Sequence, residues 1–105
     1  MKIVIVSGFF NPLHGGHLDM IEAAVEMGDK LIVVVNNDVQ QKQKKDKIIL
    51  PEQNRARVIS ALRYVDEVVI AIDDDLPVIN TLDMIARSYP NDELVFANGG
   101  DRDSE

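Results

Sequence analysis

The chain contains no cysteine. Disulfides, thiolate nucleophiles and cysteine-ligated zinc are therefore excluded. Positive charge is also scarce: 11 Lys+Arg stand against 18 Asp+Glu, a formal net charge of −7. Such a chain is a poor general binder of the nucleic-acid backbone, although a few gathered cations can still hold a small phosphate ligand. Long apolar runs are missing too. No stretch nears the roughly 20 residues of a membrane span. Ile3-Val4-Ile5-Val6 behind Met1-Lys2 is too short for a signal peptide. A soluble, cytoplasmic protein is expected, with neither nucleic acid nor membrane as partner. Internal repeats and linkers are absent. What is there is ordinary globular composition, 46% hydrophobic and 28% charged over 105 residues, enough for one domain with a real core.

The apolar pattern alternates between two kinds of segment. Ile3–Val6 and Leu31–Val35 are continuous apolar runs, suited to strands buried on both faces, and Val68–Ile72 and Leu94–Ala97 read as a third strand and a fourth, the last at an edge. Between them, Leu18, Ile21, Ala24 and Val25 recur at helical spacing, as do Val58, Ile59 and Leu62, and then Val78, Ile79, Leu82, Ile85, Ala86 and Tyr89. Gly28 suits a helix stop, Pro51 a first helical turn, Asp75 an N-cap and Pro90 a helix end. Asp73-Asp74-Asp75 reads as a solvated turn rather than a metal site. The order β-α-β-α-β-α-β predicts an α/β fold with a parallel sheet and helical cover. Ligands in such sheets bind at the carboxyl ends of the strands. The candidate surfaces are Ser7–His17, Asn36–Asp38, Asp73–Asp75 and Asn98–Asp101.

Chemistry concentrates in the first of these, Gly8-Phe9-Phe10-Asn11-Pro12-Leu13-His14-Gly15-Gly16-His17. Both histidines of the chain lie here, with two glycines between them that let backbone approach a ligand. His17 is placed at a helix start, where free N–H groups and the helix dipole favour phosphate. Two imidazoles there can donate to phosphate oxygens and stabilise charge that builds during phosphoryl or nucleotidyl transfer. Two histidines are too few to hold zinc. The loop is neither G-x-G-x-x-G nor G-x-x-x-x-G-K-[ST], which disfavours a dinucleotide oxidoreductase and a P-loop NTPase.

His14-Gly15-Gly16-His17 resembles the HxGH signature of the nucleotidyltransferase superfamily. The likeness is to cytidylyltransferases such as glycerol-3-phosphate cytidylyltransferase, and to sugar-phosphate adenylyltransferases. It extends to the lysine-rich segment after the second strand, to Pro51-Glu52-Gln53-Asn54-Arg55, to Arg63-Tyr64-Val65-Asp66-Glu67-Val68 and to Gly99-Gly100-Asp101. The resemblance implies a Rossmann-like three-layer α/β/α fold of strand order 3-2-1-4, spanning residues 1–105. It implies transfer of a CMP or AMP group from a nucleoside triphosphate to a phosphomonoester, with release of pyrophosphate. No covalent enzyme intermediate is involved, and Mg2+ accompanies the triphosphate. The substrates would be CTP or ATP, with CTP favoured by the lysine segment, and a small phosphomonoester. A homodimer is a further expectation.

Carried residue by residue, the likeness gives His14 and His17 the stabilisation of the transition state, and Lys44 a point charge brought to the substrate phosphates by loop closure. Gly8, Phe9, Phe10, Asn11, Gly16, Lys45, Arg55, Asn98, Gly100 and Asp101 would contact nucleotide or phosphate. Phe9 departs from the small residue, often Thr, and Asn11 from the Asp that relatives carry. Relatives continue to a fifth strand and a Ser/Thr-rich motif, so a domain truncated at its C-terminus is expected. The competing reading is a non-catalytic nucleotide-binding module of the same fold. A class I aminoacyl-tRNA synthetase fragment is disfavoured by the acidic charge.

Overall fold

The computed structural model of the chain describes residues 1–10, 15–40, 51–74 and 78–97. Strands β1 (Lys2–Gly8), β2 (Lys30–Val35), β3 (Glu67–Ile70) and β4 (Glu93–Phe96) alternate with helices α1 (Gly15–Val25), α2 (Glu52–Ser60) and α3 (Ile79–Ser88). The four strands form one parallel sheet in the order β3-β2-β1-β4. None of the described helices is long and apolar enough to cross a membrane.

The continuous apolar runs are explained by the pleat. Successive strand side chains point to opposite faces, so a strand covered on both sides must be apolar at every position. Val4, Val6, Leu31, Val33 and Val35 pack on one face with Ile21 and Ala24 of α1 and Ile59 of α2. Ile3, Ile5, Ile32 and Val34 pack on the other with Val78 and with Ile85 of α3. The expected three-layer α/β/α architecture and the 3-2-1-4 order are both present.

Local departures from the periodicity have physical reasons. The buried stripe of α3 runs through Val78, Leu82, Ile85 and Tyr89, at spacings of three and four. Ile79 lies off that stripe and is 64% exposed. In α2 the inward stripe is Arg55, Ile59 and Leu62, and Val58 faces outward at 44% exposure. Leu18, in the first turn of α1, is likewise largely exposed. Pro51 stands just before α2 as its N-cap. Gly28 does not end α1 through a left-handed cap; the helix stops at Val25, and no described glycine has positive φ. Its lack of a side chain serves packing instead, since a Cβ there would lie 2.7 Å from Val4 Cγ2 and 2.8 Å from the Lys2 carbonyl oxygen.

Aspartates tie the strand starts together. Asp29 accepts from the Lys2 N–H at 2.8 Å and returns its own N–H to the Lys2 carbonyl at 2.7 Å. Asp66 makes the same reciprocal pair with Leu31, at 2.8 and 3.0 Å. These bonds fix the register of β1, β2 and β3 at the end of the sheet opposite the loops where a ligand would bind.

Candidate active site

The carboxyl ends of β1 and β2 converge on one buried arginine. Arg55 is 1% exposed. Its guanidinium donates to the Phe9 carbonyl at 2.7 Å, to the Asn36 carbonyl at 2.8 Å and to the Asp38 carboxylate at 2.6 Å. A planar guanidinium presents five N–H donors in fixed directions, so one side chain can hold several acceptors at once. The Asp38 N–H in turn donates to Glu52 at 2.7 Å. The first turn and buried face of α2 therefore clamp the chain as it leaves β1 and β2.

Beside the clamp, Asn37 and Gln40 form a reciprocal box. The Gln40 N–H donates to Asn37 Oδ1 at 2.9 Å and the Asn37 N–H donates to Gln40 Oε1 at 3.0 Å. This is the pattern of a capping box opening a helical turn. Asn37 Nδ2 also donates to the carbonyls of Ala71 and Asp73, at 3.0 and 2.7 Å, which joins the end of β2 to the chain leaving β3.

Asp73 is not part of a solvated turn. It is 6% exposed and accepts from the backbone N–H groups of Asn80 and Thr81, at 2.8 and 2.9 Å, and from the Thr81 hydroxyl. Burial alone would push its carboxyl up; these hydrogen bonds outweigh burial and hold it below the usual aspartate value. Asp73 thus caps α3 from outside the helix, while the Thr81 hydroxyl accepts from the Ile72 N–H at 2.9 Å.

Around β1 the chain turns sharply toward α1. Phe10 is buried at 1% exposure and has a φ of 51°, the left-handed region that costs an aromatic residue energy. Its ring covers Gly8, where a Cβ would meet Phe10 Cζ at 3.0 Å. The same ring stands edge-on to the His17 imidazole, with centroids 4.9 Å apart and planes at 69°. His17 lies in the first turn of α1, which opens with Gly15 and Gly16 and carries no acidic side chain. Among the described residues, a Cβ on Gly15 would meet nothing within 4 Å beyond its own helix and chain neighbours. Backbone N–H groups and an imidazole thus stand together at the electropositive end of the helix.

The structure brings Gly8, Phe9, Phe10, Gly16, His17 and Arg55 to the carboxyl edge of the sheet. Asn11, His14, Lys44, Lys45, Asn98, Gly100 and Asp101, like Asp75, lie outside the described residues. The guanidinium of Arg55 bonds two carbonyls and Asp38, a set of partners that helix spacing alone does not announce. Asp38 falls within the candidate surface Asn36–Asp38 and Glu52 within the segment Pro51–Arg55, but the bond between them, and the local box that Gln40 makes with Asn37, are not legible in the sequence. No described group of three or more His, Asp or Glu is arranged to hold a metal ion.

Comparison with known proteins places this geometry in context. The chain is 41% identical over 101 residues to an FAD synthase of Pyrococcus horikoshii, an alignment covering 95% of this chain and 64% of that protein. It is 38% identical over 102 residues to the bifunctional protein HldE of Koribacter versatilis, covering 95% of this chain and 19% of that protein. The chain therefore spans less than two thirds of the curated relatives' length. A crystal structure of a lipopolysaccharide core biosynthesis protein from Thermoplasma volcanium superposes with a TM-score of 0.68 at 24% identity, covering 93% of this chain and 97% of that one, a likeness of fold. The cytidylyltransferase-like family model matches residues 5–104. With that match over nearly its full length, the chain belongs to the cytidylyltransferase-like family.

Proposed function

We propose that the chain transfers a nucleotidyl group from a nucleoside triphosphate to a phosphomonoester. One observation carries the reading: the glycine-opened start of α1, with His17 braced on Phe10, stands at the carboxyl end of β1 in a member of this family. An oxygen of the acceptor phosphate attacks the α-phosphorus. A new P–O bond forms there, the bond between the α-phosphorus and the bridging oxygen breaks, and pyrophosphate leaves. Such a reaction needs orientation and neutralisation of charge more than it needs a protein nucleophile.

In this reading His17 and the first N–H groups of α1 donate to the triphosphate, and their hydrogen bonds strengthen as negative charge builds at the transferring phosphorus. His14 joins His17 across the glycines, and Lys44 and Lys45 add charge at the phosphates. Phe10 braces the His17 ring, and Gly8 leaves room for Phe10. Asn11, Phe9, Gly16, Asn98, Gly100 and Asp101 complete the nucleotide contacts, and Arg55 shapes the floor beneath them. Mg2+ would arrive with the triphosphate and neutralise its charge; the described residues include no cluster suited to hold it alone.

Relatives named FAD synthase favour ATP as donor, because FAD consists of FMN joined to an AMP group. FMN is then the first acceptor to test, with glycerol 3-phosphate and a hexose 1-phosphate beside it. The experiment is pyrophosphate release with Mg2+ and either ATP or CTP against each acceptor. Release with ATP and one of these phosphomonoesters is expected. Triphosphate binding without turnover on any of them would favour the non-catalytic nucleotide-binding module.

A further inference from the structure

Buried polar atoms in folded proteins are almost always hydrogen-bonded. Among the described residues one buried side-chain oxygen or nitrogen has no partner: Asn36 Oδ1. Asn36 is 4% exposed. Its backbone is fully engaged, the N–H donating to the Gly8 carbonyl at 2.9 Å and the carbonyl accepting from Arg55 at 2.8 Å. The residue is therefore held in place on both sides of its side chain. Its neighbour Asn37 makes the contrast plain, since both ends of that carboxamide are used inside the protein.

An unpartnered buried acceptor destabilises the free protein relative to an apolar group of the same shape. A ligand that supplies the missing donor removes that penalty on binding. Phosphate oxygens are acceptors and do not qualify, so the partner must be a hydroxyl or an N–H. The position narrows the choice further. Strand order reverses between β1 and β4, the crevice where a nucleotide is received in sheets of this kind. Asn36 follows β2, on the other side of β1, next to Gly8 and to Phe9.

On the nucleotidyl-transfer reading, on which this inference rests, we propose that Asn36 Oδ1 accepts a hydrogen bond from a hydroxyl or N–H of the phosphomonoester and so selects the acceptor. A site built around a hydrogen-bonding group discriminates strongly against acceptors that lack the matching donor.

Two variants test this. Asn36→Leu, close in shape and without polar atoms, should melt in the absence of ligand at or above the wild-type temperature. A clearly lower melting temperature would mean that the oxygen serves the fold, and would overturn the proposal. Asn36→Ala, assayed with ATP and whichever of FMN, glycerol 3-phosphate or hexose 1-phosphate the wild type uses, should lose about ten-fold in kcat/KM for the acceptor, the worth of one hydrogen bond. The KM for ATP should stay unchanged. An unchanged acceptor kcat/KM, or an effect on ATP alone, overturns the assignment of Asn36 while leaving the transfer reading intact. If the wild type releases no pyrophosphate with any acceptor, the transfer reading falls, and this inference falls with it.

Discussion

The Phe10 ring stands edge-on to the His17 imidazole at a centroid distance of 4.9 Å, on a backbone with a φ of 51°. An aromatic residue in this region is strained, and such strain persists only where the surroundings hold it. Here the surroundings are Gly8 beneath the ring and His17 at its edge. The pair couples the end of β1 to the first turn of α1, and so fixes where the imidazole sits.

Gly8→Ala tests that coupling. The new Cβ would lie 3.0 Å from Phe10 Cζ, so the ring must give way. Displacing the ring moves its contact with His17. A loss of about 1–2 kcal/mol of stability is expected for crowding of this kind, with a fall in kcat larger than any change in triphosphate KM. Thermal melts and steady-state kinetics check both. A variant with wild-type kcat would show that Phe10 does not position the imidazole.

Gly15→Ala separates space from function. Among the described residues, nothing beyond the helix's own backbone and the chain neighbours lies within 4 Å of the added Cβ. Replacing glycine by alanine at the start of a helix should leave stability unchanged or raise it by up to about 1 kcal/mol. Triphosphate affinity should nonetheless fall, because the methyl group occupies the approach to the helix start. The two readouts are the melting temperature of the free protein and its rise on adding ATP. An undiminished rise would mean that the nucleotide does not come close to Gly15.

Arg55→Met is expected to cost about 3 kcal/mol or more, since it leaves the Asp38 carboxylate and two carbonyls without their common donor. Asp38→Asn should cost less, because its side chain is 32% exposed while that of Arg55 is fully buried. Denaturant unfolding of both variants gives the comparison. Equal costs would mean that the carbonyl bonds add nothing to the ion pair.

The layered sheet was legible because burial on both faces leaves a plain mark, an unbroken apolar run at Ile3–Val6 and again at Leu31–Val35. The turn from β1 into α1 was legible because Gly8, Gly15 and Gly16 interrupt the apolar pattern between Val6 and Leu18. The clamp was not. The resemblance makes Arg55 a nucleotide or phosphate contact, and its place on a helix alone makes it a surface arginine. One signal was available: the stripe of Ile59 and Leu62, extended one turn back, lands on Arg55 and puts it on the buried side. Its acceptors could not be read that way, since two are backbone carbonyls, which carry no mark of residue type. Asp73 was obscured for a similar reason. In a run of three aspartates, only the fold determines which one faces a helix N-terminus.

Asp73 carries the pH dependence. Its carboxyl is held below the ordinary value of 3.8, so its charged form stabilises the fold. That contribution is fully present above 3.8 and is lost as pH falls through the lower folded value. Asp73→Asn should therefore cost about 1–2 kcal/mol at neutral pH, in the range of lost helix caps. The gap between variant and wild type should narrow in acid. Urea unfolding at pH 7 and at pH 3 measures it, and a gap independent of pH would mean that the charge of Asp73 is not what caps α3.

The most direct measurement is pyrophosphate release by wild type and by His17→Ala, side by side, with ATP, Mg2+ and FMN. His17 lies in the first turn of α1 and is only partly buried, so the variant should fold and melt near the wild-type temperature. Its rate should fall by about 10²–10³, the cost of removing one donor to the charge that develops in the transition state. A folded His17→Ala protein that releases pyrophosphate as fast as the wild type would contradict the placement of nucleotidyl transfer at the start of α1.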